Sequence, residues 1–310
     1  NLRGLLTQPP LSDQVILAID PGFRTGSKIA VIDETGKLLE TATIYPHPPQ
    51  NRKAESYQVI DKLIKQHAAT LIVIGNGTAS RETETFIAEI TKNDPKLNYL
   101  ITSEAGASVY SASKLARKEF PELDVSMRGA VSIGRRVQDP LAELVKIDPK
   151  SIGVGLYQHD VNQTKLSLAL DQTVESVVNA IGADVNTASA QLLTYISGIG
   201  PALAEKIIDF REENGPFKDR MTIKNVPGMG AKSFEQSAGF LRIRDSINLL
   251  DATGIHPESY SIAQSIIDQV QKSGKNGVLG NSAAVKKFRD NTDLAAFAES
   301  LSTGLPTLED

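Results

Sequence analysis

The chain has 310 residues, 40% of them hydrophobic and 23% charged, which fits an ordinary globular protein with two or three separate cores. No apolar run approaches the roughly 18 residues of a membrane span, and the absence of cysteine excludes disulfides and thiolate metal sites. The net charge of −4 excludes a diffuse electrostatic grip on nucleic acid, so any such contact has to come from local geometry and small clusters.

Residues 1–12 end in Thr7-Gln8-Pro9-Pro10 and read as the tail of a preceding domain running into a linker. The chain starts at Asn1 without a charged-then-apolar leader, the pattern expected of a piece of a larger cytosolic protein. Strand signals follow. Val15–Ile19 is continuously apolar, Lys28–Ile32 comes after a glycine-containing turn, and Leu38–Tyr45 completes a hairpin. Pro46 and Pro48-Pro49 stop that strand. Helical spacing of Tyr57, Ile60, Leu63 and Ile64 predicts a helix over 52–67. Leu71–Ile74 reads as a buried strand, 80–92 as a helix, Tyr99–Thr102 as a strand and 107–119 as a helix.

The resulting order, βββαβαβα, suits a mixed sheet with helices on both faces and is the order of an RNase H-like α/β domain, here residues 13–148. A doubly wound nucleotide-binding sheet is the competing arrangement. The opening hairpin counts against it, and neither G-x-G-x-x-G after a strand nor a phosphate-loop lysine motif is present. Residues 149–182 read as a connecting loop, too glycine-rich at Gly153 and Gly155 for a helix, and then a helix over 166–181. From 183 to 245 the signal is all-helical with sharp glycine punctuation. Residues 246–310 weaken into short helices around 257–272, 282–289 and 292–301, separated by the Gly/Lys/Asn stretch 274–280.

Within 183–245 one pattern occurs twice. Ile196-Ser197-Gly198-Ile199-Gly200-Pro201 is followed thirty residues later by Val226-Pro227-Gly228-Met229-Gly230-Ala231. Glycines let the chain reverse within a few residues, and proline suits the first position of the next helix. Such a turn leaves backbone N–H groups at a helix N-terminus, where the dipole favours an anion. The pair reads as tandem helix-hairpin-helix motifs that hold a phosphate backbone through Gly198, Ile199, Gly200, Gly228, Met229 and Gly230, with Lys206 and Lys232 adding a charge each. A plain helix–helix connector is the alternative for either copy alone. The segment carries 8 basic and 8 acidic residues, so its hold is expected to be geometric and without sequence preference.

The first domain offers carboxylates. Asp20 ends the first strand in Ile19-Asp20-Pro21-Gly22, Glu104 lies just past the last strand, expected to be adjacent to the first in the sheet, and Asp139 opens Asp139-Pro140-Leu141-Ala142-Glu143. Three acids at such positions could bridge two divalent metals, Mg or Mn, about 4 Å apart for phosphodiester hydrolysis. Each also has a local reading: Asp20 as a turn cap, Glu104 as a helix cap, Asp139 as the start of a helix. Glu143, one turn on, is an alternative to Asp139. Lys114, Arg117, Lys118, Arg128, Arg135 and Arg136 could line a nucleic-acid groove or form a solvated face. The four histidines show no metal-ligand spacing.

The stretches Ile19–Gly26, Ile74–Thr83, Ser103–Ser113 (SEAGASVYSAS), Arg128–Ala130, Val137–Lys150, Gly153–Gln163 and Asp184–Ser189 together resemble the bacterial Tex family of transcription accessory proteins, over about residues 1–265. The resemblance implies a YqgF domain of RuvC-related fold followed by tandem helix-hairpin-helix motifs. In the family these normally lie between an N-terminal helical region and a C-terminal OB-fold domain, so the chain corresponds to a central portion. It implies RNA or DNA as partner, with the transcription machinery as a further one. The family's RuvC-like acids fall on Asp20, Glu104 and Asp139, and Phe23 stands where a smaller aliphatic residue is expected. Two functions remain: a nucleic-acid-binding accessory protein that needs no cofactor, which is favoured, and a metal-dependent nuclease. An actin-type phosphotransferase is a third, weakened by the absence of a second phosphate loop.

Overall fold

The computed structural model describes residues 2–11, 14–92, 94–153, 155, 157–272, 286, 288–290, 292–301, 303–305 and 308. It divides into two units, Asn1–Ile181 with Ala188–Tyr195, and Gly182–Thr187 with Ile196–Asp310. The predicted stretch 274–280 and most of the helix predicted at 282–289 lie outside the described residues.

In the first unit, β1 (Ile16–Asp20), β2 (Ser27–Ile32), β3 (Leu38–Ile44), β4 (Leu71–Gly75) and β5 (Asn98–Thr102) form one sheet in the order β3-β2-β1-β4-β5. The β1–β2 and β2–β3 pairs are antiparallel, whereas β1–β4 and β4–β5 are parallel. Successive residues of a strand face opposite sides, and here both sides are covered. Leu17, Ile19, Ile29, Ile72 and Ile74 pack with Ile60 and Leu63 of α2 (Lys53–His67) and Phe86, Ile87 and Ile90 of α3 (Ser80–Thr91). Ile16, Ala18, Ala30, Ile32 and Val73 pack with Ala130, Val131, Ile133 and Val137 of α6 (Val125–Gln138). This is why β1 reads as an unbroken apolar run.

The helix predicted over 107–119 is two helices, α4 (Ala107–Ala112) and α5 (Lys114–Glu119). Ser113 breaks it: its backbone is extended (φ −68°, ψ 160°) and its hydroxyl accepts from the Ala116 amide at 3.0 Å, a side-chain cap that competes with continuing the helix. No sequence pattern predicts a helix at 125–138, where α6 crosses the sheet closely enough to need Gly134. A Cβ there would lie 2.9 Å from Ile32 Cδ1 and 3.0 Å from Ala18 Cβ. Gly134→Ala is therefore expected to overpack this seam and cost about 1–3 kcal/mol, read as a lowered denaturation midpoint.

Residues 2–6, expected as part of a tail, form α1 (Leu2–Leu6), with Leu2 and Leu6 buried. It packs on α7 (Pro140–Leu144) and α8 (Gln163–Ile181), both in the same unit. The short α9 (Ala190–Leu193) is also assigned here.

The second unit carries α10 (Pro201–Asn214) and α11 (Ala231–Ser237). It is not purely helical: β6 (Ala183–Asp184) and β7 (Leu241–Arg242) pair in parallel and tie the ends of the segment together. Farther on come α12 (Tyr260–Lys272) and α13 (Leu294–Ser300). At its centre Arg220 is fully buried. Its guanidinium donates to Leu241 O (2.8 Å), Ile255 O (2.6 Å), Tyr260 Oη (2.7 Å) and Thr253 O. Tyr260 Oη and the Arg220 amide in turn donate to the buried Asp251 carboxylate.

Candidate functional site

Two clusters stand out, one in each unit. In the first, Asp20 sits at the C-terminal end of β1. Glu104 lies two residues past β5, which is not the neighbour of β1, because β4 runs between them. The expectation that the two acids occupy adjacent strands is thus corrected. Glu104 reaches across the end of β4 because Gly75 and Gly77 leave room: a Cβ on Gly75 would lie 2.5 Å from Glu104 Oε2, and one on Gly77 would overlap Glu104 Oε1. Asn76 Oδ1 accepts from the Glu104 amide at 3.1 Å and holds this crossing. Burial, and then Glu104 beside it, push Asp20 up to about 6 against the pull of Lys28 and Arg136. Glu104 Oε2 is itself buried without a hydrogen-bond partner.

The third expected acid does not join this pair. Asp139 is exposed and caps α7, its Oδ1 accepting from the Ala142 amide at 2.9 Å. It does not figure among the charges that act on Asp20. Glu143 is buried and ion-paired with Lys146 at 2.9 Å. The helix lying over the two acids is α6, which contains no Asp or Glu. It offers Gly129, where a Cβ would stand 3.1 Å from Asp20 Oδ2, Ile133, whose Cδ1 would lie 3.1 Å from a Cβ on Gly75, and the guanidinium of Arg136. Arg136 Nη1 donates to Ser103 O (2.6 Å) and Ala105 O (3.0 Å), on either side of Glu104. Among the described residues no group of three metal-ligating side chains forms. A two-metal centre needs several bridging carboxylates, and the pair Asp20 and Glu104, with the Arg136 guanidinium acting on both, does not fit one.

Of the arginines expected along a groove, Arg128, Arg135 and Arg136 turn inward. Arg128 is buried and donates to Phe120 O at 3.1 Å, and Arg135 pairs with Glu119 at 2.7 Å and donates to Gly36 O. Lys114, Arg117 and Lys118 of α5 are exposed. Phe23 packs edge-on against the buried ring of His47, centroids 5.9 Å apart.

In the second unit the repeated turns obey a thirty-residue register. Ile196 and Val226, Ile199 and Met229, Ala204 and Phe234, and Ile207 and Ser237 are all buried. Ile199 and Met229 therefore face the core, so only the backbone of these two expected contact residues is available to a ligand. The four glycines divide into two kinds. Gly198 (φ +83°) and Gly228 (φ +95°) adopt the left-handed backbone, and each packs on the helix of the other hairpin. A Cβ on Gly198 would meet Gln236 Cβ at 2.8 Å and Ser233 O at 3.0 Å; one on Gly228 would meet Lys206 Nζ at 3.3 Å and Leu203 Cδ1 at 3.9 Å.

Gly200 and Gly230 are different. Each is the N-cap of the helix that follows, in extended backbone, with nothing within 4 Å of a would-be Cβ and no side-chain cap. In α10 Pro201 has no amide and the Leu203 amide donates to Gly200 O at 3.0 Å, which leaves the Ala202 N–H as the first-turn donor. In α11 the amides of Ala231, Lys232 and Ser233 have no carbonyl partner within the helix. Elsewhere this chain fills that role with Ser113, Asp124, Asp139, Asp219 or Asp293. Two uncapped, unobstructed helix starts, each with a dipole that favours an anion, are what the hairpin pair presents.

Residues 14–138 match the Tex protein YqgF-like domain, residues 178–242 the helix-hairpin-helix motif, and residues 248–310 an HHH domain. A transcriptional accessory protein Tex of Neisseria gonorrhoeae is 51% identical over the whole chain and 40% of its own length. The chain belongs to the Tex family. An uncharacterized protein of Bacillus subtilis is 50% identical over the whole chain and 43% of its own length, and the human S1 RNA-binding domain-containing protein 1 is 40% identical over the whole chain and 36% of its own length. The chain thus spans about two fifths of the Tex relatives it matches. Its α/β first domain and the helical region behind it are the RNase H-like and helix-hairpin-helix domains of that family. The third match was not legible in the sequence: 248–310 reads as a mere helical extension because its short helices lack the glycine-x-glycine turn that marks the other two hairpins. No helix among the described residues is long and apolar enough to cross a membrane.

Proposed function

We propose that this part of the Tex protein binds RNA or DNA through the phosphate backbone, without sequence preference and without a metal, as an accessory to transcription. The observation that carries the reading is the pair of open, uncapped helix starts at Gly200 and Gly230, set in one register by the thirty-residue repeat. The family match supports it, as do two relatives' names, one a transcriptional accessory protein and the other a protein with an S1 RNA-binding domain. The segment's balance of 8 basic and 8 acidic residues implies few phosphate contacts and a shallow dependence of affinity on salt. The transcription machinery is a further proposed partner, and the cytoplasm the proposed location.

The test is to give both turns the cap they lack. Asparagine is a favourable N-cap whose side chain accepts from the first-turn amides, and both sites have room for it. Gly200→Asn with Gly230→Asn is expected to keep the melting temperature or raise it slightly while lowering affinity for nucleic acid by about tenfold or more, each lost charge-assisted contact being worth on the order of 1 kcal/mol or more. Unchanged affinity in a folded variant would sink the phosphate role. The nuclease reading has only the pair Asp20 and Glu104 to rest on, with the Arg136 guanidinium beside them. With branched and single-stranded substrates and added magnesium or manganese, the expected result is binding without cleavage, unaltered by chelator and by Asp20→Asn.

A further inference from the structure

The sheet of the first unit has two edges, and they are built differently. An edge strand presents a row of N–H and C=O groups to any further strand, and charges, prolines and bulges guard against such pairing. The edge strand β3 carries Glu40, held at 2.8 Å by His67 Nε2, and its register on β2 shifts between Val31 and Ile32. The opposite edge, β5, is Asn98-Tyr99-Leu100-Ile101-Thr102, without charge or proline and in unbroken register on β4. Ile101 is 42% exposed there.

Alternation along β5 decides which of its backbone groups are free. The Asn98 amide donates to Thr70 O, and Thr102 O accepts from the Asn76 amide. Asn98, Leu100 and Thr102 therefore turn their backbone groups to β4, and Tyr99 and Ile101 turn theirs outward. Among the described residues nothing bonds to those outward groups. The free stretch is closed at both ends: the Leu97 amide donates to Asp94 O at 3.1 Å, and Ser103 O accepts from Arg136 at 2.6 Å.

This short edge is complementary to itself. In an antiparallel pair about a two-fold axis at Leu100, Tyr99 of each copy exchanges both backbone hydrogen bonds with Ile101 of the other, which uses every free group. Moving the axis to Tyr99 or Ile101 would call on the occupied groups of Leu97 or Ser103. The side chains agree with the same register. Tyr99 meets Ile101, an aromatic–β-branched pair of the stabilising kind, while Asn98 meets Thr102 and Leu100 meets itself. Charge agrees too, because the lysine end of one strand, Lys96, falls beside the acidic end of the other, at Glu104. Parallel pairing would set Lys96 beside Lys96. We propose that β5 is an interface between two copies of this chain, which join their sheets by antiparallel β5–β5 pairing. The contact is small, so the dimer is weak and forms as concentration rises.

The chain has no cysteine, so one introduced cysteine reports the register. Across the proposed axis the two Leu100 residues form a non-hydrogen-bonded pair with Cα atoms about 4.5 Å apart, within disulfide range. Under mild oxidation the full chain with Leu100→Cys is expected to give a covalent dimer. Asn98→Cys, which faces Thr102, should not crosslink alone but should do so when mixed with Thr102→Cys. Sedimentation velocity of the unaltered chain should show a coefficient that rises with concentration. Ile101→Pro removes an outward N–H without touching the β4 ladder and should keep the chain monomeric throughout. Ile101→Lys leaves the backbone intact and charges the edge; it should weaken the dimer several-fold, and it carries the test if the proline variant does not fold. A chain that stays monomeric at the highest concentration would overturn the proposal and leave the edge to a different strand. So would a dimer indifferent to both Ile101 variants, or equal crosslinking through Asn98→Cys and Leu100→Cys.

Discussion

Replacing Arg220 by alanine is expected to destabilise the second unit by about 3–5 kcal/mol, the range seen when one member of a buried charged network is removed. Its guanidinium donates to three main-chain carbonyls, at Leu241, Thr253 and Ile255, and to Tyr260 Oη, all from a fully buried position. Without it, those acceptors lose their donor, and each one left buried and unpaired costs about 1–3 kcal/mol. The Asp251 carboxylate beside it, 2% exposed, would also lose its nearest cation. Arg220→Lys keeps the charge but not the planar fork that meets several acceptors at once, and should recover less than half of the loss. Denaturant unfolding followed by a probe in this unit measures both. A loss under 1 kcal/mol for the alanine variant would mean that the network is dispensable. Nucleic-acid binding should fall with it, because Leu241, one of the acceptors, opens the strand β7 that pairs with β6.

Asp20→Asn is expected to stabilise the first unit, and only above a certain pH. The folded state raises Asp20 from 3.8 to about 6, so between those values it holds a proton that the unfolded chain has released. Stability is therefore greatest below pH 4, falls as pH rises to 6, and is level above that. At 1.36 kcal/mol per pKa unit, the ionised carboxylate costs about 2–3 kcal/mol at neutral pH. Asparagine has the same shape and no charge, so the variant should match the wild type near pH 4 and exceed it by roughly that amount at pH 7–8. Melting curves taken from pH 4 to 8 test this, and parallel pH profiles for the two proteins would refute it. Gly77→Ala separates the two causes. Its Cβ must displace the Glu104 carboxylate, which removes one source of the shift and leaves burial, so Asp20 should titrate lower than in the wild type but still above 3.8. A residue in this state is a destabilising feature maintained by the fold around it, and local conflicts of this kind concentrate at functional sites. In this family member the conflict persists although α6 places Arg136, and no acid, over the pair.

Much of the architecture is written in local pattern. Buried strands with both faces covered must be apolar throughout, so β1 and β4 are visible as Ile16–Ile19 and Leu71–Ile74. The hairpin turns are visible because only glycine suits the left-handed backbone at Gly198 and Gly228. The helix α6 was not legible, since Arg128, Arg135 and Arg136 interrupt its apolar face. Those arginines are tolerated inside because their acceptors, such as Ser111 O, Gly36 O and Ser103 O, come from 17, 99 and 33 residues away. No local pattern announces such partners.

The hairpin pair shows the same division. Sequence alone determined that there are two turns, thirty residues apart, and that each opens a helix. It did not distinguish their four glycines. Gly198 and Gly228 are required by packing and backbone angle, whereas Gly200 and Gly230 are open to a ligand, and that depends on what stands opposite each turn. Nor did it show that Ile199 and Met229 turn inward, or that Lys206 lies over the other hairpin's turn. Backbone geometry is set by residues next to one another in the chain, so the turns could be read. Which side chain meets which turn is set by how two helices pack, and only the tertiary structure decided that.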